Sequence, residues 1–298
     1  MEQELIGKLM ALSCAILWAI AVILFKRSGE TLSPLALNLY KSVVSMILFL
    51  PCFIMVGDAF IPSHAVFSDY WILFWSGFVG ITVSDSLFFK SLNLIGAGLS
   101  AIVDCLYSPM VILLSFAILD KNVTTRDVIG AALIISAVLI ASLKIDRKAH
   151  VTHRDLMLGM VLGALAMFAV ALGVILLEPL LARHTALWIT EVRLVFGSVT
   201  LAAYALIMKD RRRLFAPFVT RHTWRFAFPA TFLGSFLAMI LWIGAFKFTS
   251  MVSASILNQT STIFIVVMAS LFLKETFTIR RAAAVVLAMA GSVVVIGG

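Results

Sequence analysis

Charge is scarce in this sequence. Asp, Glu, Lys and Arg make up 13% of its 298 residues, where soluble domains carry about 25%. A chain of this length could bury a large core, but it has too few polar residues to cover one, which excludes an ordinary soluble domain. Cysteine is scarcer still: Cys14, Cys52 and Cys105 all lie inside apolar runs, with no CxxC or Cys/His spacing. That excludes a disulfide framework and a zinc site and reads as small buried hydrophobes. No GxxxxGK[ST] phosphate loop and no HExxH occurs, so neither ATP hydrolysis nor zincin chemistry is expected. His64, His150, His153, His184 and His222 all fall between apolar runs, and no metal or cofactor is expected. No stretch is low in complexity or long enough to form an extramembrane domain.

What the sequence has instead is apolar length. Hydrophobic residues account for 62% and mean hydropathy is +1.09. A bilayer core needs roughly 20 apolar residues of helix. Read that way, spans fall near 6–25, 33–56, 71–90, 97–119, 127–143, 156–177, 186–208, 225–246, 251–273 and 282–297. Barrel strands would alternate apolar and polar over about ten residues, whereas these runs are apolar throughout for about twice that length. Ser33-Pro34 opens the second span well, because Pro at the first helical position gives up only an N–H that would be unpaired anyway. Glu2 and Glu4 make the start acidic, unlike a cleaved secretory signal, so the first run reads as a retained span.

The formal net charge is +8, but the bases sit in short loops between apolar runs. Lipid headgroups account for them better than nucleic acid does. Lys and Arg number 16 in the loops after odd-numbered spans and 5 at the termini and in the other loops. The positive-inside rule then places both termini outside.

The two halves repeat. At an offset of 152, Gly7 meets Gly159, Phe25 meets Leu177 and Lys41 meets Arg193. At 154, Asp104 meets Asn258, Lys121 meets Glu275, Thr124 meets Thr278 and Arg126 meets Arg280. The expected units are residues 1–146 and 147–298, each with five spans, forming one integrated membrane domain. An odd number of spans makes the second copy enter the membrane from the opposite side. The expected fold is therefore an all-α membrane protein of ten transmembrane helices in two inverted five-helix repeats, a plan that places substrate sites near the midplane between repeats.

Several stretches resemble the EamA-type, ten-helix branch of the drug/metabolite transporter superfamily. They are residues 245–257 and 271–278, with weaker counterparts at 91–103 and 119–124. Trp18, Lys41 and Arg193 also fit, and the likeness covers almost the whole chain. Lys121, where the family often has an acid, and Asp104 and Pro109 in the fourth span are departures. The resemblance implies export or exchange of small metabolites, including amino acids and drugs, by alternating access. It implies a multi-pass protein of the cell (inner) membrane, a monomer or homodimer, whose termini usually face the cytoplasm; on that last point it conflicts with the charge count. The other classes considered are a lipid-moving or scaffold subunit and an intramembrane enzyme.

Ionisable groups inside the spans carry the functional reading. Lys41, Asp85, Asp104, Glu191 and Arg193 all lie within apolar runs. At about 2.5–3.5 kcal/mol each on insertion scales, five charged and unpaired groups would cost roughly 12–18 kcal/mol, more than a typical folding stability. They must therefore pair, titrate or meet water. Helical spacing groups Asn38, Lys41, Ser42 and Ser45 on one stripe of the second span. Ser100, Asp104, Tyr107, Ser108 and Ser115 form another on the fourth, and Ser255, Asn258, Gln259 and Thr262 a third on the ninth. The candidate pathway is a polar cavity lined by spans two, three, four, seven and nine, with spans one and six peripheral or packing through small residues. Lys41 and Arg193 are candidate cavity cations for a carboxylate or other anionic group, with pairing to Asp85, Asp104 or helix C-terminal carbonyls the alternative. Asp85 and Asp104 are candidate proton carriers. Tyr107 and Trp242 read as packing or belt residues, Glu191 as an interfacial or capping acid, and Pro109 as a kink.

Overall fold

The computed structural model describes residues 2–56, 62, 65–120, 122–142, 152–181, 183–209, 211–248 and 257–296. Lys121, His64, His150, the boundary between the units near residue 146 and the expected start of the ninth span, with Ser255, lie outside the described residues. Every regular element among the described residues is helical.

Ten helices follow the expected order: α1 (Glu2–Ser28), α2 (Pro34–Val56), α3 (Phe67–Ile95), α4 (Ala97–Leu119), α5 (Thr125–Ser142), α6 (His153–Ile175), α7 (Ala186–Ile207), α8 (221–248), α9 (Leu257–Phe272) and α10 (Ile279–Ile296). Seven described helices are long and apolar enough to cross a bilayer unaided. The remaining three are α5 and α10, of 18 residues each, and α9, Leu257–Phe272.

Local chemistry starts these helices where the chain needs them. Ser33 Oγ accepts from Ala36 N at 3.3 Å, Thr152 Oγ1 from Asp155 N at 3.1 Å and Thr185 Oγ1 from Trp188 N at 3.2 Å. At α5, Thr124 and Asp127 exchange bonds, Asp127 N to Thr124 Oγ1 at 3.3 Å and Thr124 N to Asp127 Oδ2 at 2.8 Å. Each cap satisfies N–H groups that a helix start leaves without an intrahelical partner. Gly96, at φ 83°, separates α3 from α4, a conformation that glycine reaches without a Cβ penalty.

The backbone repeats as the sequence does. The third helix of each half contains a π segment, Phe78–Val83 in α3 and Thr231–Leu237 in α8, whose starts are 153 positions apart. Among the described residues, Asp120 and Lys274 are the two non-glycines with positive φ, at 51° and 56°. They lie 154 positions apart and end α4 and α9. The fourth helix is also broken in both halves. α4 runs Ala97–Asp104 and resumes at Tyr107, and in α9 a turn at Thr260 precedes Ser261–Phe272. The break in α4 falls where Pro109 requires it, since its ring clashes with the carbonyl four residues back, that of Cys105.

Spans one and six are not peripheral. α1 buries Ala11, Ala15, Ala19, Ala21, Val22 and Phe25 against α8 and α9. α6 lies along α3, where Ser76, Ser84 and Ser91 donate to the carbonyls of Gly173, Ala166 and Gly159. The expectation of small-residue packing holds, but the peripheral position does not. Few polar side chains on these helices means close backbone approach, because in a bilayer helices associate through small residues and interhelical hydrogen bonds. A Cβ on Gly173 would stand 2.8 Å from Gly80 Cα and 3.1 Å from Ser76 O. Backbone cannot retreat as a flexible side chain can. Gly173→Ala should therefore lower the melting temperature measured by tryptophan fluorescence in detergent, with an overpacking cost of about 1–3 kcal/mol.

Loops meet in two sets. From the last turn of α1, Lys26 Nζ donates to Leu92 O and Asn93 O, both at 2.9 Å, and Arg27 Nη2 to Phe272 O at 2.9 Å. Glu275, after α9, accepts from Ala97 N at 2.7 Å and Gly98 N at 3.1 Å at the start of α4, with Arg281 at 3.5 Å. The described ends of α1, α3 and α9 and the start of α4 therefore meet at one end, the basic end, held by three helix-terminus contacts of the sign that helix dipoles favour. The start of α3 and the α6–α7 loop meet elsewhere, where Asp69 meets Arg183 and His184.

Candidate functional site

The site begins with the π segment of α3. An extra residue in a helical turn leaves carbonyls without their usual donors, and such segments are frequent at functional sites. Asn38, fully buried on α2, covers two of them: its Nδ2 donates to Ile81 O at 3.0 Å and Thr82 O at 3.3 Å, and to Ser86 Oγ at 3.0 Å. Ser42 Oγ returns a bond to Asn38 Oδ1 at 3.2 Å. On the other side, Thr82 Oγ1 donates to Gly197 O at 3.1 Å and lies 2.7 Å from Thr200 Oγ1. The bulged segment is thus fastened to α2 of the first half and α7 of the second. Sequence spacing placed Asn38 in the pathway; its side chain is instead consumed in holding α3.

Two residues past the π segment stands Asp85, and one turn past Asn38 stands Lys41. The two form an ion pair whose side chains are 23% and 12% exposed. Of the alternatives that spacing left open for Lys41, Asp85 is the one that meets it. Arg193, on α7, lies within electrostatic reach of Asp85 and of the Tyr107 hydroxyl on α4. Lys41 and Arg193 are each the eighth residue of their helix, about 12 Å in at 1.5 Å per residue, and in an inverted pair they enter from opposite faces. Lys41, Asp85, Arg193 and Tyr107 thus gather from four helices of both repeats.

The repeat is broken at one chemical position. At the offset of the two π segments, Asp85 corresponds to Ala238. Lys41 has an acid from its own half and Arg193 does not. Arg193 forms no ion pair among the described residues, and its Nε has no hydrogen-bond partner there. Two cations face one carboxylate.

A second polar group lies between the broken helices. Gln259 Nε2 donates to Ser108 Oγ at 3.1 Å, Thr262 Oγ1 to Ala101 O at 3.4 Å, and Cys105 Sγ sits 3.4 Å from Thr262 Oγ1. Thr262 is 2% exposed and fastens α9 to α4. Asn258 Oδ1 has no partner among the described residues. Asp104, at the break in α4, is half-buried and makes no hydrogen bond or ion pair among them. The structure therefore divides the candidates into the Lys41–Asp85–Arg193–Tyr107 group, the α4–α9 group, and the structural clip Asn38.

Glu191 differs from expectation. It is 2% exposed, and neither carboxylate oxygen has a partner among the described residues. It is no cap, because Thr185 already caps α7. Spacing also missed Asp69, which is fully buried. Arg183 Nη2 lies 2.9 Å from Asp69 Oδ1 and His184 Nε2 2.9 Å from Oδ2, while Val66 N donates to Oδ2 at 3.1 Å. His184 stacks on Trp188 at 4.4 Å. An acid three residues inside a helix start was the available signal, but its partners come from 114 and 115 residues away. No group of three His, Cys, Asp or Glu side chains among the described residues could hold a metal ion.

This is the architecture of a membrane transporter for small solutes: two inverted five-helix repeats, discontinuous helices, and charged groups meeting between the repeats. A family model described as "EamA-like transporter family" matches residues 5–143 and again 157–297, and the chain belongs to that family. A solved structure described as "Crystal structure of protein" is similar in fold, with a TM-score of 0.65 at 15% identity over 97% of this chain and 95% of that one. No curated protein matches the chain.

Proposed function

We propose that this chain is a secondary transporter that moves small organic solutes bearing a carboxylate, such as amino acids, by alternating access as an exporter or exchanger. The observation that carries the reading is Arg193, an intramembrane guanidinium that lacks an acidic partner of its own beside an ion pair that leaves the group net positive. Burying a charge far from water is costly unless something pairs with it, and intramembrane ionisable groups mark substrate and ion pathways. A solute carboxylate would complete the balance, with Tyr107 as a hydroxyl partner and the α4–α9 group of Asn258 and Gln259 continuing the pathway. The proposed pathway comprises Lys41, Asp85, Asp104, Tyr107, Arg193, Asn258 and Gln259, with Asn38 and Thr262 positioning its walls. The contacts of Lys26, Arg27 and Glu275 at the basic end supply a natural closed side for one state of the cycle.

Proton coupling belongs to the same proposal. Asp104 is its best candidate, because Asp85 already holds Lys41. Proteoliposomes loaded with an unlabelled amino-acid mixture and given a labelled one should show counterflow exchange. Asp104→Asn should keep exchange but lose accumulation driven by a pH gradient. Absence of exchange across such a panel would favour a scaffold or lipid-moving role, and pH-driven accumulation unchanged in both Asp104→Asn and Asp85→Asn would remove proton coupling through them.

A further inference from the structure

A cavity of about 560 Å³ opens at the basic end, between the α1–α2 loop of the first repeat and the segment that enters α8 in the second. Its lining includes Arg213, Thr31, Ser33, Thr220 and Thr223, and no acid among the described residues lines it. The cavity is separate from the Lys41–Asp85–Arg193 group and plays no part in the proposed cycle.

Three features at this place favour an anion. α8 begins here with Thr220 at its cap position, yet no side chain caps it and no acid stands in its first turn. Its first turn thus has no side-chain cap, and of its N–H groups Thr223 N turns back to Thr220 O at 3.0 Å; such a terminus favours negative charge. Thr223, in that first turn, lines the cavity at 2% exposure, and its Oγ1 has no hydrogen-bond partner among the described residues. A buried hydroxyl without a partner calls for one. Arg213 supplies a guanidinium at the rim, from a short helix, Arg211–Phe215, that carries three arginines in succession. A guanidinium, hydroxyls and helix N–H groups converging on one hollow are the donors that bind phosphate.

We infer that this cavity is a phosphate-binding site that takes the headgroup of an anionic phospholipid and bridges the two repeats at the basic membrane face. The lipid source is favoured by the rim. Val219 is 86% and Trp224 46% exposed beside the cavity, and the Trp224 indole N–H donates to Phe218 O at 3.1 Å. An aromatic ring with a satisfied polar edge and an open face is what the headgroup boundary selects, and anionic leaflets attract such basic segments.

The test uses the full chain in nanodiscs of phosphatidylcholine alone or with phosphatidylglycerol, and in detergent with inorganic phosphate. A ligand that binds only the folded state raises the melting temperature. Phosphatidylglycerol should raise that of the wild type by several degrees. Arg213→Gln and Thr223→Val should match the wild type in phosphatidylcholine but lose most of the rise, while Arg211→Gln, on the same short helix but not lining the cavity, should keep it. Stabilisation by inorganic phosphate without phosphatidylglycerol would support the phosphate site and overturn its lipid source. An equal loss in Arg211→Gln and Arg213→Gln, or no stabilisation by either probe, would overturn the site. Lower stability of Thr223→Val in phosphatidylcholine leaves Arg213→Gln, on an exposed side chain, to decide.

Discussion

Asp85→Ala should abolish solute exchange and lower the melting temperature of the protein. The substitution removes the one acid facing Lys41 and leaves two intramembrane cations, Lys41 and Arg193, without a counter-charge among the described residues. Removing one partner of a buried ion pair costs about 3–5 kcal/mol, because the survivor stays buried and uncompensated. Lys41→Ala should cost stability in the same way, since Asp85 is then the unpaired group, although Arg193 within its electrostatic reach softens the loss. Replacing both with apolar residues of similar size, Lys41→Met with Asp85→Leu, should recover stability, because a buried pair often exchanges for apolar side chains without penalty. That double variant separates scaffold from pathway. If the pair serves only to join α2 to α3, the double variant exchanges solute as the wild type does, and the transport reading of this group fails. If the pair lies on the pathway, the double variant is stable and inactive. Counterflow in proteoliposomes, read beside a thermal melt of the same preparation, distinguishes the two.

The second large effect is expected at Asp69 and on stability alone. Its carboxylate is fully buried and holds Arg183, His184 and the backbone of Val66, tying the start of α3 to the α6–α7 loop and so one repeat to the other. Asp69→Ala takes the carboxylate away from buried His184 and removes the cap of α3, so a loss of about 2–4 kcal/mol is expected. Arg183 is 49% exposed, and water takes over much of what its partner supplied. Arg183→Ala should therefore cost no more than about 1 kcal/mol. Exchange per folded molecule should remain close to wild type in both, since neither residue faces the central group. Equal melting temperatures for the two variants would contradict the assignment of Asp69 as the buried anchor.

These two clusters show how unevenly the site was legible. Lys41 and Arg193 stand out in sequence because a cation in an apolar run is expensive and the repeat pairs them. Asp85 and Asp104 stand out for the same reason. What spacing could not decide was the partner, since both acids were in range of the argument and only the folded arrangement of α2 against the π segment of α3 selects Asp85. Asn38 and Thr262 looked like lining residues because polar side chains on a stripe have no other one-dimensional reading. Folded, they are spent on backbone carbonyls of neighbouring helices. Glu191 looked like a terminal acid because the start of α7 is not sharply marked in sequence, whereas Thr185 supplies the cap and leaves Glu191 inside.

Composition, apolar length and the offset near 153 determined by themselves that this chain crosses the membrane about ten times and is built as two inverted halves. Those properties depend on the solvent: lipid demands internally bonded helices, and an odd number of crossings must invert its copy. Tertiary structure decided where the helices lie and which charges meet. It brought α1 and α6 into the interior through alanines and glycines, placed a π segment in the third helix of each half, and paired Lys41 with Asp85 while Arg193 forms no ion pair among the described residues. Such outcomes depend on contacts between residues from 43 to 245 positions apart, and no local pattern carries the distance between side chains that far separated along the chain.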